Sequence, residues 1–398
     1  MSATFDTMWA ELAPVGAHAD GGYRRFAWTA EDAALREWFA AEARRRGLSC
    51  VVDRAGNQWA WWGDPDGDGP GVVAGSHLDS VPSGGAFDGP LGVVSAFAAV
   101  DLLRERGWSP SRPIGVAAFA DEEGARFGVA CAGSRLLTGA LPAERALGLT
   151  DVDGVTVAEA MRRAGHDADA AGADREALAR VGTFVELHVE QGRGLVELDH
   201  PVGVGSGIWP HGRWRVTLDG EANHAGTTPL ADRRDPMIDL AALVQEVRAA
   251  AVRHDALATV GRVQVEPNGV NAVPSRVRAW LDCRAPGVDA VSAVLAELAS
   301  FDPVRESWTP PTTFDAALAT RLADTVGDAV GAAGERAPLL GTGAGHDAGI
   351  LGAAGVPTAM LFVRNPTGVS HSPAEHAERD DCHAGVRALA AALTELTR

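Results

Sequence analysis

Four short apolar runs in this chain end at residues that bind protons or metal ions, and this pattern limits the fold more than any other feature. Val72-Val73-Ala74 leads into Ser76-His77-Leu78-Asp79-Ser80, and residues 116–120 lead into Asp121-Glu122-Glu123. Residues 184–187 lead into His188, and residues 358–363 into the loop that carries His371. Short apolar runs of this kind read as buried strands. Helical segments precede and separate them: periodic apolar positions at Ala34, Leu35, Trp38 and Phe39 predict a helix over 30–46 that stops at Gly47, and a second is predicted from 90 to about 106. Strands alternating with helices imply an α/β layer around a largely parallel mixed sheet. Such sheets carry their sites just beyond the C-terminal ends of the strands, where all these polar residues fall.

The rest of the chain divides around that layer. Residues 51–53 and 58–62 read as a hairpin about Ala55-Gly56-Asn57, with Trp59 and Trp61 on one face as core residues. Residues 150–180 suggest short helices at 157–164 and 175–180 and nothing catalytic. Near Gly207 the pattern changes to strand 213–219, helix 236–253, strands 259–265 and 276–284, helix 289–300 and strand 304–308. This β-α-β-β-α-β order predicts a ferredoxin-like insert. The expected domains are therefore 1–207 with 316–398, and an inserted α+β domain over 208–315.

Composition excludes several functions. All 35 basic residues are Arg, so a P-loop lysine, a Schiff-base lysine and a lysine general base are absent. A net charge of -18 argues against a nucleic-acid partner. No apolar run is long enough to span a membrane, and residues 1–11 lack the basic, then apolar, pattern of a signal peptide, so a cytoplasmic location is expected. Cys50, Cys131, Cys283 and Cys382 form no C-x-x-C pair and are expected to be buried free thiols. There is no H-E-x-x-H and no G-x-S-x-G segment, and His376, close to His371, fits no zinc motif.

Singly, a His at a strand end is usually structural and a Glu pair is usually solvated. Together, three His and several carboxylates at one sheet edge suit two divalent ions, with Zn, Mn, Co or Ni favoured by imidazole and carboxylate ligands. A bridging carboxylate would hold the two ions about 3.5–4 Å apart with a shared water of lowered pKa. A carboxylate outside the ligand set must then take the proton. Adjacent Glu residues can divide that work, Glu123 as ligand and Glu122 as base, while Asp79 can orient His77 through its second ring nitrogen.

Seven segments carry a resemblance: Gly75-Ser76-His77-Leu78-Asp79-Ser80, Phe87-Asp88-Gly89, Asp121-Glu122-Glu123-Gly124, Glu186-Leu187-His188-Val189-Glu190-Gln191-Gly192, Ala222-Asn223-His224-Ala225-Gly226-Thr227-Thr228-Pro229, Asn271-Ala272-Val273-Pro274 and Ser370-His371-Ser372-Pro373. The chain resembles the dinuclear M20 metallopeptidase clan, in particular its branch of allantoate amidohydrolase, N-carbamoyl-L-amino acid hydrolase and β-ureidopropionase. The resemblance implies that Asp88 bridges the metals, and that His77 and His188 are ligands to one metal and the other, completed by Glu123 and His371. It makes Glu122 the general base and the insert a lid and dimerisation domain. It makes His224 the oxyanion-stabilising residue, lent by the second subunit of a homodimer, and Gln191, Asn271 and Arg284 the residues that position a small carboxylate substrate. Arg284 also ends a strand, where Arg suits bidentate carboxylate binding, with a surface ion pair as the other reading. His211, His346 and Arg364 are further candidates for substrate contact.

The implied reaction is cleavage of a linear C–N bond in a ureido acid such as allantoate or an N-carbamoyl-L-amino acid. Two departures from the branch's pattern bear on substrate: Trp209-Pro210-His211-Gly212, and Arg364-Asn365-Pro366-Thr367-Gly368, whose Arg364 would favour a second anionic group. Hydrolysis of an N-formyl or formimino-glutamate type substrate, an aminopeptidase or aminoacylase activity, and a metal-free binding protein are the alternatives.

Overall fold

The structure of the protein, a computed structural model, describes residues 2–331 and 334–398. The chain forms two compact units, Met1–Ser206 with Thr313–Arg398, and Gly207–Thr312. In chain order the first unit holds β1 (Ser49–Val52), β2 (Gln58–Trp62), β3 (Gly71–His77), β4 (Ile114–Phe119), β5 (Val181–Val189) and β6 (Val202–Ile208). The second holds β7 (His211–Asp219), β8 (Asn223–His224), β9 (Leu257–Glu266), β10 (Ala272–Val273), β11 (Arg276–Arg284) and β12 (Val304–Thr309). The chain then returns through β13 (Thr312–Thr313), β14 (Leu339–Thr342) and β15 (Thr358–Val363).

Among the described residues the first unit builds a nine-stranded sheet in the order β1-β2-β4-β3-β5-β15-β6-β13, with β14 beside β6. The four central strands, β4, β3, β5 and β15, are parallel. The β1-β2 hairpin and β6 flank them antiparallel, so the sheet is mixed. Every residue of β3, β4 and β15 is buried, which explains their unbroken apolar character. The helices Pro90–Glu105 and Arg379–Leu396 pack on each other and share the main core with these strands. Leu91, Val94 and Phe97 of the first and Val386, Leu389 and Leu393 of the second are at most 1% exposed. Each such side chain contributes about 1.5–3 kcal/mol of burial. Trp59 and Trp61 stack at 6.4 Å and are buried as expected. All four Cys are free thiols, but Cys50 is only half-buried. No helix among the described residues is long and apolar enough to cross a membrane.

The second unit has an antiparallel sheet in the order β12-β7-β11-β9 with the helices Pro236–Arg253 and Val288–Glu297 on one face, the arrangement of a ferredoxin-like unit. Burial alternates residue by residue along β11, so Val277, Ala279, Leu281 and Cys283 face the helices. A separate β8-β10 ribbon sets His224 opposite Ala272.

Candidate metal centre

The site begins with sheet register. β3 and β5 are parallel neighbours with Gly75 opposite Glu186, so two residues further on His77 and His188 emerge side by side, ring centroids 5.9 Å apart. Both rings are buried, at 0% and 1% exposure. His77 Nδ1 lies 3.1 Å from the Asp79 carbonyl and His188 Nδ1 lies 2.9 Å from the Val189 carbonyl. A carbonyl only accepts, so each Nδ1 carries a proton and each Nε2 is turned to the site. Burial acts to lower the His77 pKa, yet Asp79, Asp88 and Glu122 together hold it well above the ordinary value. Nε2 is thus a place where positive charge is favoured, as a proton or as a metal ion.

Asp88 stands between two groups of ligands. Its Oδ1 is 3.5 Å from His77 Nε2 and 3.1 Å from His188 Nε2, and its Oδ2 is 3.4 Å from His371 Nε2. Glu123 Oε2 is 3.6 Å from the same His371 nitrogen. Two triads result, His77-Asp88-His188 and Asp88-Glu123-His371, each with ligand atoms within 4.8 Å of one another. The resemblance divides His77 and His188 between two ions, whereas the adjacency of β3 and β5 groups both in one triad. Gly89 makes this approach possible. Its φ is +85°, and a Cβ there would lie 2.4 Å from the His77 ring.

The donor set fits divalent cations. Among the described residues Glu123 Oε1 and Gln191 Oε1 are buried with no hydrogen-bond partner, and His77 Nε2 and His188 Nε2 face only carboxylate oxygens, of Asp88 and Glu122. Such atoms are costly unless something else pairs with them. Burial and then Asp88 push Glu123 up to about 8, and the same two causes push Glu375 up to about 7. The pocket therefore holds more buried carboxylate than its own His residues neutralise, and imidazole with carboxylate is the ligand chemistry of Zn, Mn, Co and Ni.

Glu122 belongs to neither triad. Its Oε2 is 3.8 Å from His77 Nε2, and it is 5% exposed. Burial raises its pKa well above the usual carboxylate value; His77 opposes this, and Asp347, Glu123 and Asp79 add to it. A carboxyl group raised in this way holds a proton more readily than an ordinary carboxylate, which suits an acid–base role. Asp79 faces the second ring nitrogen of His77 with both its backbone carbonyl, at 3.1 Å, and its carboxylate, at 3.5 Å, and the same carboxylate accepts the N–H groups of Glu122 at 3.1 Å and Glu123 at 3.0 Å. It fixes the acidic turn as well as the imidazole.

Gln191 joins the centre, its Nε2 donating to Asp88 Oδ2 and to Ser370 Oγ, both at 3.0 Å. His346 is 3% exposed, with its ring edge-on to His188 at 4.5 Å, and burial followed by the His188 charge holds its pKa well below the usual value. Its ring packs against the His188 ring at the edge of the centre. Arg364, a candidate for substrate contact, is paired within its own unit. Its guanidinium is held by Asp381 at 2.8 and 3.0 Å and by Asp199 at 3.2 Å, which neutralises it.

The second unit holds the other candidates. His224 Nδ1 accepts the Gly226 N–H at 3.0 Å, which leaves the proton on Nε2 as a donor. Asn271 is tied to the same ribbon, its carbonyl accepting the Ala225 N–H at 2.9 Å. Arg284 is paired with Asp282 at 2.7 and 3.0 Å, and His211 lies opposite Arg284 in the β7-β11 register. His376 is half-exposed beside Glu378 and is no part of the centre.

Three acids escaped the sequence reading as working residues. Glu375 Oε1 accepts the N–H groups of Phe87 and Asp88, both at 3.0 Å, and its Oε2 lies 3.2 Å from the Ser370 hydroxyl. Glu186 accepts the Ser76 hydroxyl and the Ala348 N–H, both at 2.8 Å. Asp347 is buried with its Oδ1 2.5 Å from the Ser134 hydroxyl. Glu186 stands in a segment that carries the resemblance and Asp347 stands next to the candidate His346, and these are the signals that could have drawn attention to them.

The profile of peptidase family M20/M25/M40 matches residues 73–395. The chain belongs to this family. Among M20 relatives, it is 39% identical over 391 residues to an N-carbamoyl-L-amino acid amidohydrolase of Geobacillus stearothermophilus, covering 95% of this chain and 94% of that one. It is 32% identical over 403 residues to the allantoate amidohydrolase of Escherichia coli, covering 97% and 95% of the two chains. A solved hydantoinase/carbamoylase family amidase from Burkholderia multivorans superposes with a TM-score of 0.86 at 30% identity, over 100% of this chain and 98% of that one. The match includes the β3, β4, β5 and β15 ends that carry the two triads.

Proposed function

We propose that this chain is a metal-dependent amidohydrolase that cleaves a linear C–N bond of a ureido acid such as allantoate or an N-carbamoyl-L-amino acid. The observation that carries the reading is Asp88 shared by two ligand triads with Glu122 outside both, in a chain similar along its length to enzymes of those names. His77, Asp88 and His188 would hold one divalent ion and Asp88, Glu123 and His371 a second. Ions bound there supply Lewis acidity and lower the pKa of a bound water towards about 7. Glu122 takes the proton of the attacking water and returns it to the leaving nitrogen. His224, with its proton on Nε2, donates to the developing oxyanion. Arg284 grips the substrate carboxylate, exchanging Asp282 for it. Gln191 and Asn271 position the substrate by hydrogen bonding, beside His211.

The test is a hydrolysis panel of allantoate and N-carbamoyl, N-formyl and N-acetyl amino acids, run with Mn, Co, Ni and Zn. Ureido substrates should turn over fastest, chelation should abolish the activity, and added metal should restore it. Full activity in metal-free protein would sink the assignment.

We infer further a homodimer in the cytoplasm, with His224 supplied by the partner subunit and the second unit serving as lid and dimerisation domain. Edge strand β9 and the exposed Ile238 and Val252 of the Pro236–Arg253 helix support self-association. Mixing inactive His224→Ala and Glu122→Gln chains should restore activity. One site of each heterodimer then carries both defects and the other neither, giving about half the wild-type value per heterodimer if the sites are independent. No recovery after verified subunit exchange would place His224 in its own chain's site.

A further inference from the structure

We propose that Cys131 is a positioning residue for Glu122, its thiol hydrogen-bonded to one carboxylate oxygen so that the other faces the metal centre. This rests on the reading of Glu122 as the base. Cys131 Sγ donates to Glu122 Oε1 at 3.1 Å, while Glu122 Oε2 is the oxygen that faces His77. The same residue grips Glu122 a second time, its backbone N–H donating to the Glu122 carbonyl at 2.5 Å. Two contacts from one residue fix both the backbone and the side chain of the base.

Cys131 is itself held from behind. It precedes the helix Ala132–Thr138 and adopts a left-handed φ of 54°, a conformation that costs a non-glycine residue free energy and persists only when its surroundings enforce it. The Ser134 hydroxyl lies 3.2 Å from the Cys131 carbonyl and 2.5 Å from Asp347 Oδ1, its single proton serving one of these two acceptors at a time. The thiol is 3% exposed, and burial followed by the Glu122 charge pushes its pKa well above the ordinary value. The sulfur therefore keeps its proton and acts as a donor rather than as a nucleophile. The chain from Asp347 through Ser134 and Cys131 to Glu122 joins the start of the Asp347–Ala353 helix to the base. A carboxylate without this donor can rotate, and a small misplacement of a reacting group is costly in rate.

The experiment compares holoenzymes carrying Cys131→Ser and Cys131→Ala, assayed on allantoate and N-carbamoyl-L-methionine. Cys131→Ala should lower kcat about tenfold at unchanged KM, metal content and Tm, whereas Cys131→Ser, which keeps a donor, should stay within about threefold. In a Glu122→Gln background, Cys131→Ala should cause no further loss. An infrared difference spectrum of wild type minus Cys131→Ala should show a hydrogen-bonded S–H stretch that shifts in Glu122→Gln, a readout independent of turnover. Wild-type kcat in Cys131→Ala, equal losses in the Ala and Ser variants, or an S–H stretch blind to Glu122→Gln would each overturn the proposal. A fully active Glu122→Gln enzyme would instead remove the base assignment on which it stands.

Discussion

Glu122→Gln is expected to keep the metal content of the wild type and lose about 10²–10⁴-fold in kcat, the usual contribution of a positioned general base. The amide matches the carboxylate in shape and still offers an oxygen to the Cys131 thiol, so the loop should not move. It cannot accept a proton, so the attacking water and the leaving nitrogen lose their shuttle. KM should change little, because the proposed role of Glu122 is proton transfer and not the binding of substrate. Metal analysis beside steady-state kinetics separates the outcomes. Loss of metal with the activity would make Glu122 a ligand. A kcat within a few-fold of wild type would pass the base role to another of the raised acids, of which Asp347 is buried close by.

Much of this centre was legible in the sequence because strands buried on both faces leave an unbroken apolar trace that ends where the polar residues start. β3, β4, β5 and β15 were found in this way, and with them His77, the Glu122-Glu123 turn, His188 and the loop of His371. β6 left no such trace: Gly203, Gly205 and Gly207 interrupt it, and β13 and β14 are too short to show a period. Strand order is a second thing the sequence does not carry. β3 and β5 are separated by more than a hundred residues yet lie side by side, and this decides that His77 and His188 share a triad.

The supporting acids were hidden for a related reason. The N–H groups that Glu375 accepts, of Phe87 and Asp88, and the Ser134 hydroxyl beside Asp347 all come from far away in the chain. A buried carboxylate that works by accepting hydrogen bonds looks like any surface acid until its partners are known. Arg364 shows the converse. As a lone cation in a loop it suggested an anionic ligand, but Asp381, in the first turn of the Arg379–Leu396 helix, already faces it.

Asp88→Ala is expected to be the most damaging single change in the protein, with activity down by more than about 10³-fold and no bound metal retained at either position. Any one His or Glu123 serves one triad, so its loss leaves the other complete and metal content should fall towards half. Asp88 serves both, through Oδ1 to His77 and His188 and through Oδ2 to His371. The fold has independent reasons to survive. The loop is held by the backbone N–H groups of Phe87 and Asp88 on Glu375, which an alanine at position 88 keeps, and Ser370 still has Glu375. Thermal unfolding provides the control. Metal at about a hundredfold excess over its Kd stabilises a folded protein by about 2.7 kcal/mol, so wild type should show a clear rise in Tm on adding metal. Asp88→Ala should unfold near the metal-free wild type and show no rise. If it binds a full complement of metal, or keeps most of its activity, Asp88 does not join the two triads and the dinuclear assignment fails with it.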